Sequence, residues 1–272
     1  MTKNFTGKSV IDLPTDFCVI QLETTDLNPK EDDIIEIAVE KYRNNKIKDS
    51  FYWNVSQSNI LAALLKLKKF IGNDLILINH GSFFCPFIGN AYRNNFDEAF
   101  SNNIIDIQRL FKNIENQDTS KLDYMIKFYH LSTQHEKIAK KDIASIVAIY
   151  FNLQKSFNEK FTNIKEVMPK NHFTLKDIQG DPSKNDRTNS FYGKHVSATG
   201  ELNIYTRKEL GQIINNIGGI FQLTPGNKTD YFIVGKLKKV TSSKLEKAKN
   251  LPNISFLTEE QFLEKIASYE WI

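Results

Sequence analysis

The sequence has few cysteines and no long apolar run, and each shortage excludes a class of protein. Its 272 residues include two cysteines. Cys18 and Cys85 lie in apolar surroundings at a spacing that matches no metal-binding motif. We therefore predict buried, reduced thiols, as in cytoplasmic proteins. Because no apolar run approaches the roughly 20 residues needed to cross a bilayer, we expect no membrane association.

The chain also lacks a strong net charge, and its small positive excess is unevenly distributed. The formal net charge is +4, and 40% hydrophobic with 25% charged residues is an ordinary globular composition. Residues 1–154 carry 18 basic and 19 acidic side chains, whereas residues 155–272 carry 18 and 13. A polyanion would dock more readily on the C-terminal part, and a solvated surface without a partner accounts for the charge equally well.

Hydrophobic patterns predict a first domain at residues 1–154. Apolar and alternating runs predict strands at residues 17–22, 34–39, 51–55, 75–78 and 104–107. Helical spacing predicts helices at residues 59–71, 109–113, 121–129 and 141–153. This order of elements predicts an α/β domain with a mixed sheet.

A second domain is predicted at residues 190–272, after a linker at residues 155–189. Residues 177–190 are rich in Gly, Pro, Asp, Asn and Ser, which is typical of an exposed connector. Beyond them, strands are predicted at residues 191–196, 220–223, 229–235 and 254–256. Helices are predicted at residues 207–216, at 243–249 and from 258 onward.

Three segments of the first domain carry a family resemblance. The run Gln21-Leu-Glu-Thr-Thr25 closes the first strand, residues 78–88 follow the fourth, and Asp142 lies on the last helix. Together they resemble the DEDDh-type 3′→5′ exonucleases, a family that includes the epsilon subunit of DNA polymerase III. The resemblance covers residues 15–154 and implies a ribonuclease-H-like fold.

The same resemblance shows which catalytic positions have changed. The family binds two metal ions through four carboxylates and uses a histidine as base. Here Gln21, Phe84 and Lys137 stand at two aspartate positions and the histidine position, so Glu23 and Asp142 alone remain. Clamping the attacking water and the leaving oxygen between two divalent ions requires several carboxylate oxygens. We predict an inactive or weakly active domain with Glu23 and Asp142 as vestigial catalytic positions.

Two further hypotheses remain open. In the first, the protein is a metal-dependent 3′→5′ DNA exonuclease with altered ligands, in which Glu23 and Asp142 bind Mg²⁺ or Mn²⁺. Four residues close to motif positions are candidates for substitute ligands: Asp26, His80, Asp106 and His135. If the domain is inactive, no cofactor is expected. In the second, the protein is a protein–protein scaffold and neither domain contacts DNA.

The C-terminal part contains several motifs in a fixed order. A Gly-Lys pair precedes Thr199-Gly200, a Gly-Gly pair follows the first helix, and the runs 228–235 and 243–248 come later. They resemble the BRCT domain, and most closely the type found in NAD-dependent DNA ligases and in the large subunit of eukaryotic clamp loaders. The resemblance covers nearly all of residues 190–268 and implies a small α/β domain with a parallel sheet.

This second resemblance implies a phosphate site. Phosphate-binding members use a hydroxyl and an amide after the first strand and a lysine on the second helix, which match Thr199, Gly200 and Lys244. The clamp-loader type adds an arginine that grips a DNA 5′-phosphate, and Arg207 occupies its position. The leading hypothesis is a DNA-associated protein that acts in the replication or repair of bacterial or mobile-element DNA. Its expected partner is a 5′-phosphorylated DNA end or a phosphorylated protein, and its oligomeric state is left open.

Overall fold

The computed structural model describes residues 4–117, 119–132, 138–168, 173–237 and 241–269. These residues form two compact units. The N-terminal unit runs to Met168 and also includes the short segment that starts at Ala267, and the C-terminal unit comprises the residues from Pro169 to Ile266. Each unit contains a sheet flanked by helices, which confirms the predicted α/β class.

The N-terminal unit contains every strand and helix predicted for residues 1–154. Its strands are β1 (Phe17–Thr24), β2 (Ile34–Arg43), β3 (Lys46–Asn54), β4 (Ile76–Ile78) and β5 (Ile104–Asp106). Its helices are α1 (Ile60–Ile71), α2 (Gly81–Phe96), α3 (Ile107–Glu115), α4 (Leu122–Phe128) and α5 (Ala139–Lys160). Helix α2 is an addition to the predicted elements.

The sheet of this unit is mixed, as predicted, with the strand order β3-β2-β1-β4-β5. Strands β1, β2 and β3 pair antiparallel, whereas β4 and β5 continue the sheet in parallel with β1. Phe17 to Ile20 of β1 are fully buried. Helix α5 packs on β1 and β2, and α1 also packs on β2. Strand β1 lies at the centre of the sheet and is covered by helices. Its residues from Phe17 to Ile20 therefore form an unbroken apolar run.

The two edges of this sheet differ. Strand β3 forms one edge, and its first half is exposed and carries Lys46, Lys48 and Asp49. At the other edge, the N-terminal segment lies along β5. Val10 N donates to Ile104 O at 2.8 Å, and Ile104 N donates to Lys8 O at 2.9 Å. The N-terminal segment therefore covers the β5 edge.

Helix α5 crosses the boundary predicted at residue 154. Leu153 is part of the core of the N-terminal unit, and Phe157 packs against that core. Near the end of the helix, Lys160 forms an ion pair with Glu115 of α3. Residues 155–168 therefore belong to the N-terminal unit, because the apolar side of α5 continues beyond the predicted end.

The remainder of the predicted linker is packed on the C-terminal unit. Ile178 is fully buried, and its carbonyl accepts a hydrogen bond from Asn215 Nδ2. Asp181 N donates to Asn216 Oδ1 at 3.4 Å. This stretch, called the 173–189 segment below, contains short 3-10 turns at Leu175–Asp177 and Pro182–Lys184. Its polar composition predicts an exposed connector, but Ile178 anchors it in the core.

The C-terminal unit has a four-stranded sheet in the order β7-β6-β8-β9, and all of its pairs are parallel, as predicted. Its strands are β6 (His195–Thr199), β7 (Ile220–Gln222), β8 (Tyr231–Val234) and β9 (Ser255–Thr258). Its helices are α6 (Arg207–Asn216), α7 (Ser243–Lys249) and α8 (Glu259–Lys265). The strand predicted at residues 191–196 starts only at His195, because a turn with Gly193 at φ +68° precedes it.

Aromatic rings fill the core of this unit. Phe191, Phe232 and Phe262 are fully buried, and the Phe191 ring lies 5.7 Å from Phe262 and 5.2 Å from Tyr231. These contacts join the turn before β6 to β8 and α8. Across the described ranges of both units, no helix combines the length and apolar character that a membrane span requires.

Candidate phosphate site

The predicted phosphate-site residues come from chain segments at the C-terminal end of β6. The chain passes from β6 to β7 on one side and then returns to β8 on the other side of β6. In parallel α/β sheets, ligands bind in the crevice outside such a switch point. Thr199 ends β6, Gly200 follows it, Arg207 begins α6 and Lys244 lies in the first turn of α7.

Thr199 is joined to the helix that carries Lys244. Its side chain is buried, and its Oγ1 lies 3.1 Å from Oγ of Ser242. Ser242 is the N-cap of α7, and its Oγ accepts from Leu245 N at 3.1 Å. Ser242 is therefore a further hydroxyl at this site, and the motifs of the sequence did not predict it. The sequence does indicate one role for Ser242, because a serine directly before a predicted helix is a favoured N-cap.

Gly200 is required by the backbone path between Thr199 and the helix that follows. It adopts φ +83°, a conformation that side chains disfavour. A Cβ at this position would lie 2.7 Å from the carbonyl carbon of Gly235 and 2.8 Å from its oxygen. Gly235 N also donates to Thr199 O at 2.9 Å. The two glycines therefore let the chain after β6 lie directly against the end of β8.

Arg207 occupies the first position of α6, which begins with a capping box. Thr206 N donates to Glu209 Oε2 at 2.6 Å, and Glu209 N donates to Thr206 Oγ1 at 3.3 Å. Arg207 itself is exposed. Its positive charge stands where the helix dipole is also positive, an arrangement that attracts an anion.

Lys244 is half-buried in the first turn of α7, and its pKa responds to two features of its surroundings. Burial lowers the pKa of the Lys244 ammonium, and the positive charge of Arg207 lowers it further. Its Nζ donates to Leu223 O. Within the described residues, neither Arg207 nor Lys244 forms an ion pair with a carboxylate. An anion bound beside both cations would offset their repulsion and accept charge-assisted hydrogen bonds.

Glu23 and Asp142, the two positions predicted to be vestigial catalytic residues, lie in the N-terminal unit. Because side chains alternate along a strand, Glu23 lies on the same face of β1 as Val19. Val19 belongs to a hydrophobic core that also contains residues of α5. Glu23 pairs with Glu36 across β1 and β2. Glu36 Oε2 in turn accepts from Ala139 N at 3.1 Å, at the start of α5. Asp142 is fully buried on the first turn of the same helix.

The positions that depart from the exonuclease motifs have different surroundings. Gln21 is half-buried on β1, and Phe84 is only 2% exposed, with its ring 5.9 Å from Phe100 in an edge-to-face contact. Lys137 and His135 lie outside the described residues. In the ranges that the structure describes, no group of three or more His, Cys, Asp or Glu side chains could hold a metal ion.

Asp106, a candidate substitute ligand, has a structural role in the same unit. It is almost fully buried and accepts from Gly81 N at 2.7 Å and Gln108 N at 3.0 Å. Burial raises the pKa of this carboxyl group, and the backbone donors oppose the rise. Asp106 therefore stabilises the first turns of both α2 and α3. His80, at the start of α2, lies with Nε2 2.8 Å from Tyr269 O.

Comparison with protein families identifies the family of a domain in the C-terminal unit. Residues 187–266 match the BRCA1 C Terminus (BRCT) domain family. The match includes Thr199, Gly200, Arg207 and Lys244 and every strand and helix of this unit. The C-terminal unit therefore contains a BRCT domain, as predicted.

Bacterial DNA ligases are among the curated relatives of this chain. The DNA ligase of Fusobacterium nucleatum is 25% identical over 189 residues, which are 62% of this chain and 27% of the ligase. That of Clostridium tetani is 33% identical over 138 residues, 50% of this chain and 19% of the ligase. That of Aquifex aeolicus is 39% identical over 77 residues, 28% of this chain and 10% of the ligase. The matches span at most 27% of these three relatives.

Solved structures similar to this chain include Escherichia coli exonuclease I. Its complex with a dT13 oligonucleotide has a TM-score of 0.45 and 10% identity, covering 54% of this chain and 42% of the other. A second exonuclease I structure also has a TM-score of 0.45, with 12% identity over 61% of this chain and 47% of the other.

Proposed function

We propose that the BRCT domain binds a terminal phosphate and that a DNA 5′-phosphate is its preferred ligand. The observation that carries the proposal is the 3.1 Å contact between Thr199 Oγ1 at the end of β6 and Ser242 Oγ at the start of α7, which brings the helix of Lys244 to the end of the strand that leads to Arg207. In agreement with this placement, burial and the charge of Arg207 both lower the pKa of Lys244. A terminal phosphate can offset this repulsion and accept hydrogen bonds from Thr199, from the Gly200 amide and from Ser242.

DNA is the favoured carrier of the phosphate for two reasons. The curated relatives of this region are named DNA ligases, which supports a DNA-associated role in replication or repair. Residues 155–272 also carry the positive excess of the chain, with 18 basic and 13 acidic residues. A positive surface attracts a polyanion more strongly than it attracts a singly phosphorylated protein.

The N-terminal unit has a non-catalytic or weakly catalytic part in this proposal. Phe84 replaces a metal ligand with an apolar ring that is packed in the core. Gln21 supplies no negative charge, and Glu36 is engaged with the backbone at the start of α5. These residues support a unit of exonuclease type that no longer holds two catalytic ions.

Binding to matched DNA ends tests the phosphate site. The full chain is titrated with short labelled duplexes that carry either a 5′-phosphate or a 5′-hydroxyl, and a phosphoserine peptide is measured in parallel. We expect tighter binding to the 5′-phosphate and a loss of that preference in Arg207→Gln and Lys244→Gln. Each charged contact should contribute about 10-fold or more to the preference.

Lys228→Gln is the matched control for these substitutions. Lys228 is exposed in the turn before β8, at the N-terminal end of that strand, whereas the phosphate site lies at the C-terminal end of the parallel strand β6. Its removal changes the net charge equally and should leave the 5′-phosphate preference intact. Equal binding of the native chain to both DNA ends would contradict the proposal, and preferential binding of the phosphopeptide would assign the site to a protein partner.

A further inference from the structure

The 173–189 segment follows α6 from its beginning to its end. A Cβ placed on Gly211 would lie 2.8 Å from Ile178 Cδ1, which shows how closely the segment approaches the helix. Gln212 Nε2 donates to Gln179 O at 2.7 Å, one turn before the contacts at Asn215 and Asn216. The segment therefore runs parallel to α6, and its earlier residues lie toward the start of the helix.

The beginning of the segment lies beside the second residue of α6. Asp177 accepts from Thr174 N at 2.6 Å and from Thr174 Oγ1 at 2.9 Å. These hydrogen bonds lower the pKa of Asp177, and the positive charge of Lys208 lowers it further. Because the segment runs parallel to α6, Lys176, which is exposed, lies toward the same end of the helix as Arg207 and Lys208.

Four basic side chains therefore extend from the phosphate site to the segment. Arg207 and Lys208 are consecutive on the first turn of α6, Lys244 is near enough to Arg207 for its pKa to respond, and Lys176 directly precedes Asp177 on the packed segment. We call these four residues the basic track. Within the described ranges, none of them has a carboxylate oxygen within 4.0 Å, and Asp177 is the carboxylate that interacts with Lys208 over a longer distance. The 3-10 turn that carries Lys176 lies outside residues 187–266, the region that matches the BRCT family.

We propose that Lys176 and Lys208 bind internal backbone phosphates of the DNA strand whose 5′-phosphate occupies the site at Arg207 and Lys244. This inference rests on the proposed function and specifies its partner. A DNA strand offers a phosphate about every 3.4 Å along the helix axis, so a row of cations meets a row of anions. A singly phosphorylated peptide offers no second phosphate to Lys176 and Lys208.

Salt dependence separates binding to internal phosphates from binding to the terminal one. The affinity of the full chain for 5′-phosphate and 5′-hydroxyl duplexes is measured over a series of salt concentrations. For Lys176→Gln and Lys208→Gln we expect the slope of log affinity against log salt to fall by about 0.9 for each phosphate that the removed lysine neutralised. The fall should be equal on both DNA ends, so the 5′-phosphate preference should not change.

Comparison with the other variants distinguishes failure of the track from failure of the terminal site. Arg207→Gln and Lys244→Gln should reduce the 5′-phosphate preference, and Lys228→Gln should change neither slope nor preference. Native slopes in Lys176→Gln and Lys208→Gln would overturn the track even if the preference persists. Absence of any preference in the native chain, with reduced slopes in the two variants, would instead overturn the terminal phosphate site. Unchanged thermal unfolding confirms that each variant is folded.

Discussion

Gly200 has the most constrained backbone among the residues of the proposed phosphate site. Gly200→Ala should destabilise the C-terminal unit by about 1–3 kcal/mol, because its φ of +83° disfavours a side chain and the new Cβ would meet Gly235. It should also weaken the 5′-phosphate preference. Urea unfolding and DNA-end binding measure the two effects.

Gly226→Ala is the control for this prediction. A Cβ at Gly226 would meet no heavy atom within 4 Å. This substitution should therefore leave both stability and binding close to those of the native chain. Equal effects of Gly200→Ala and Gly226→Ala would show that the close approach of Gly200 to Gly235 has no energetic consequence.

Most residues of the candidate phosphate site could be predicted from the sequence, and one could not. Thr199, Gly200, Arg207 and Lys244 were predicted through the family resemblance, and the structure places them around one end of the parallel sheet. Ser242 was missed because its contact with Thr199 spans two separate loops, and no local pattern reports such a pairing. Its position before α7 predicts the cap but not the second hydroxyl contact.

Asp74 gives the N-terminal unit a pH-dependent stability. Arg43 Nη2 donates to it at 2.7 Å, Lys41 Nζ lies at 3.2 Å, and Cys18 Sγ donates at 3.2 Å. Burial raises the pKa of Asp74, but these partners outweigh it and hold the pKa below the ordinary value of 3.8. The resulting stabilisation is fully present above pH 3.8 and is lost as the pH falls through the lower folded pKa.

Asp74→Asn tests this pH dependence. At neutral pH the substitution should lower the free energy of unfolding by about 1–3 kcal/mol, because it removes charged hydrogen bonds. The difference from the native chain should shrink on acidification below pH 3.8. Urea unfolding at a series of pH values measures it, and a difference that stays constant down to strong acid would contradict the assignment.

Among the elements, the 173–189 segment is held on the C-terminal unit mainly by the buried side chain of Ile178. Ile178→Ala removes a fully buried group and should destabilise this unit by about 2–5 kcal/mol. Hydrogen exchange in the full chain should speed up for the amides of α6, with those of β1 as an internal reference. Unchanged exchange in α6 would show that the segment does not stabilise the helix.

The elements also show why prediction succeeded in some places and failed in others. The bounds predicted for α6 and α7 match the structure, because Thr206 and Ser242 are clear N-caps. Helix α2 was missed because it starts after His80 in a left-handed conformation and contains Pro86 near its beginning. Both features are typical of a turn, whereas in the folded unit most residues of the first half of this helix are buried.

At the scale of the whole molecule, we expect binding to DNA with little or no metal-dependent degradation. Labelled single-stranded DNA incubated with the full chain and Mg²⁺ or Mn²⁺ should be degraded slowly or not at all, because the exonuclease resemblance puts Gln21 and Phe84 at two of the four carboxylate positions. Glu23→Ala and Asp142→Ala are the controls. Degradation that requires the metal and disappears in both variants would establish an active nuclease.

The two edges of the N-terminal sheet have a consequence for self-association. One edge is covered by the N-terminal segment along β5, whereas the other is β3, whose exposed half carries Lys46, Lys48 and Asp49. A sheet edge can recruit a strand from another copy, and charged side chains make that addition costly. Replacing these three residues with threonine should therefore promote oligomers and aggregates at high protein concentration, while each molecule keeps its fold. The lysines of β3 would then contribute to keeping copies of the chain apart.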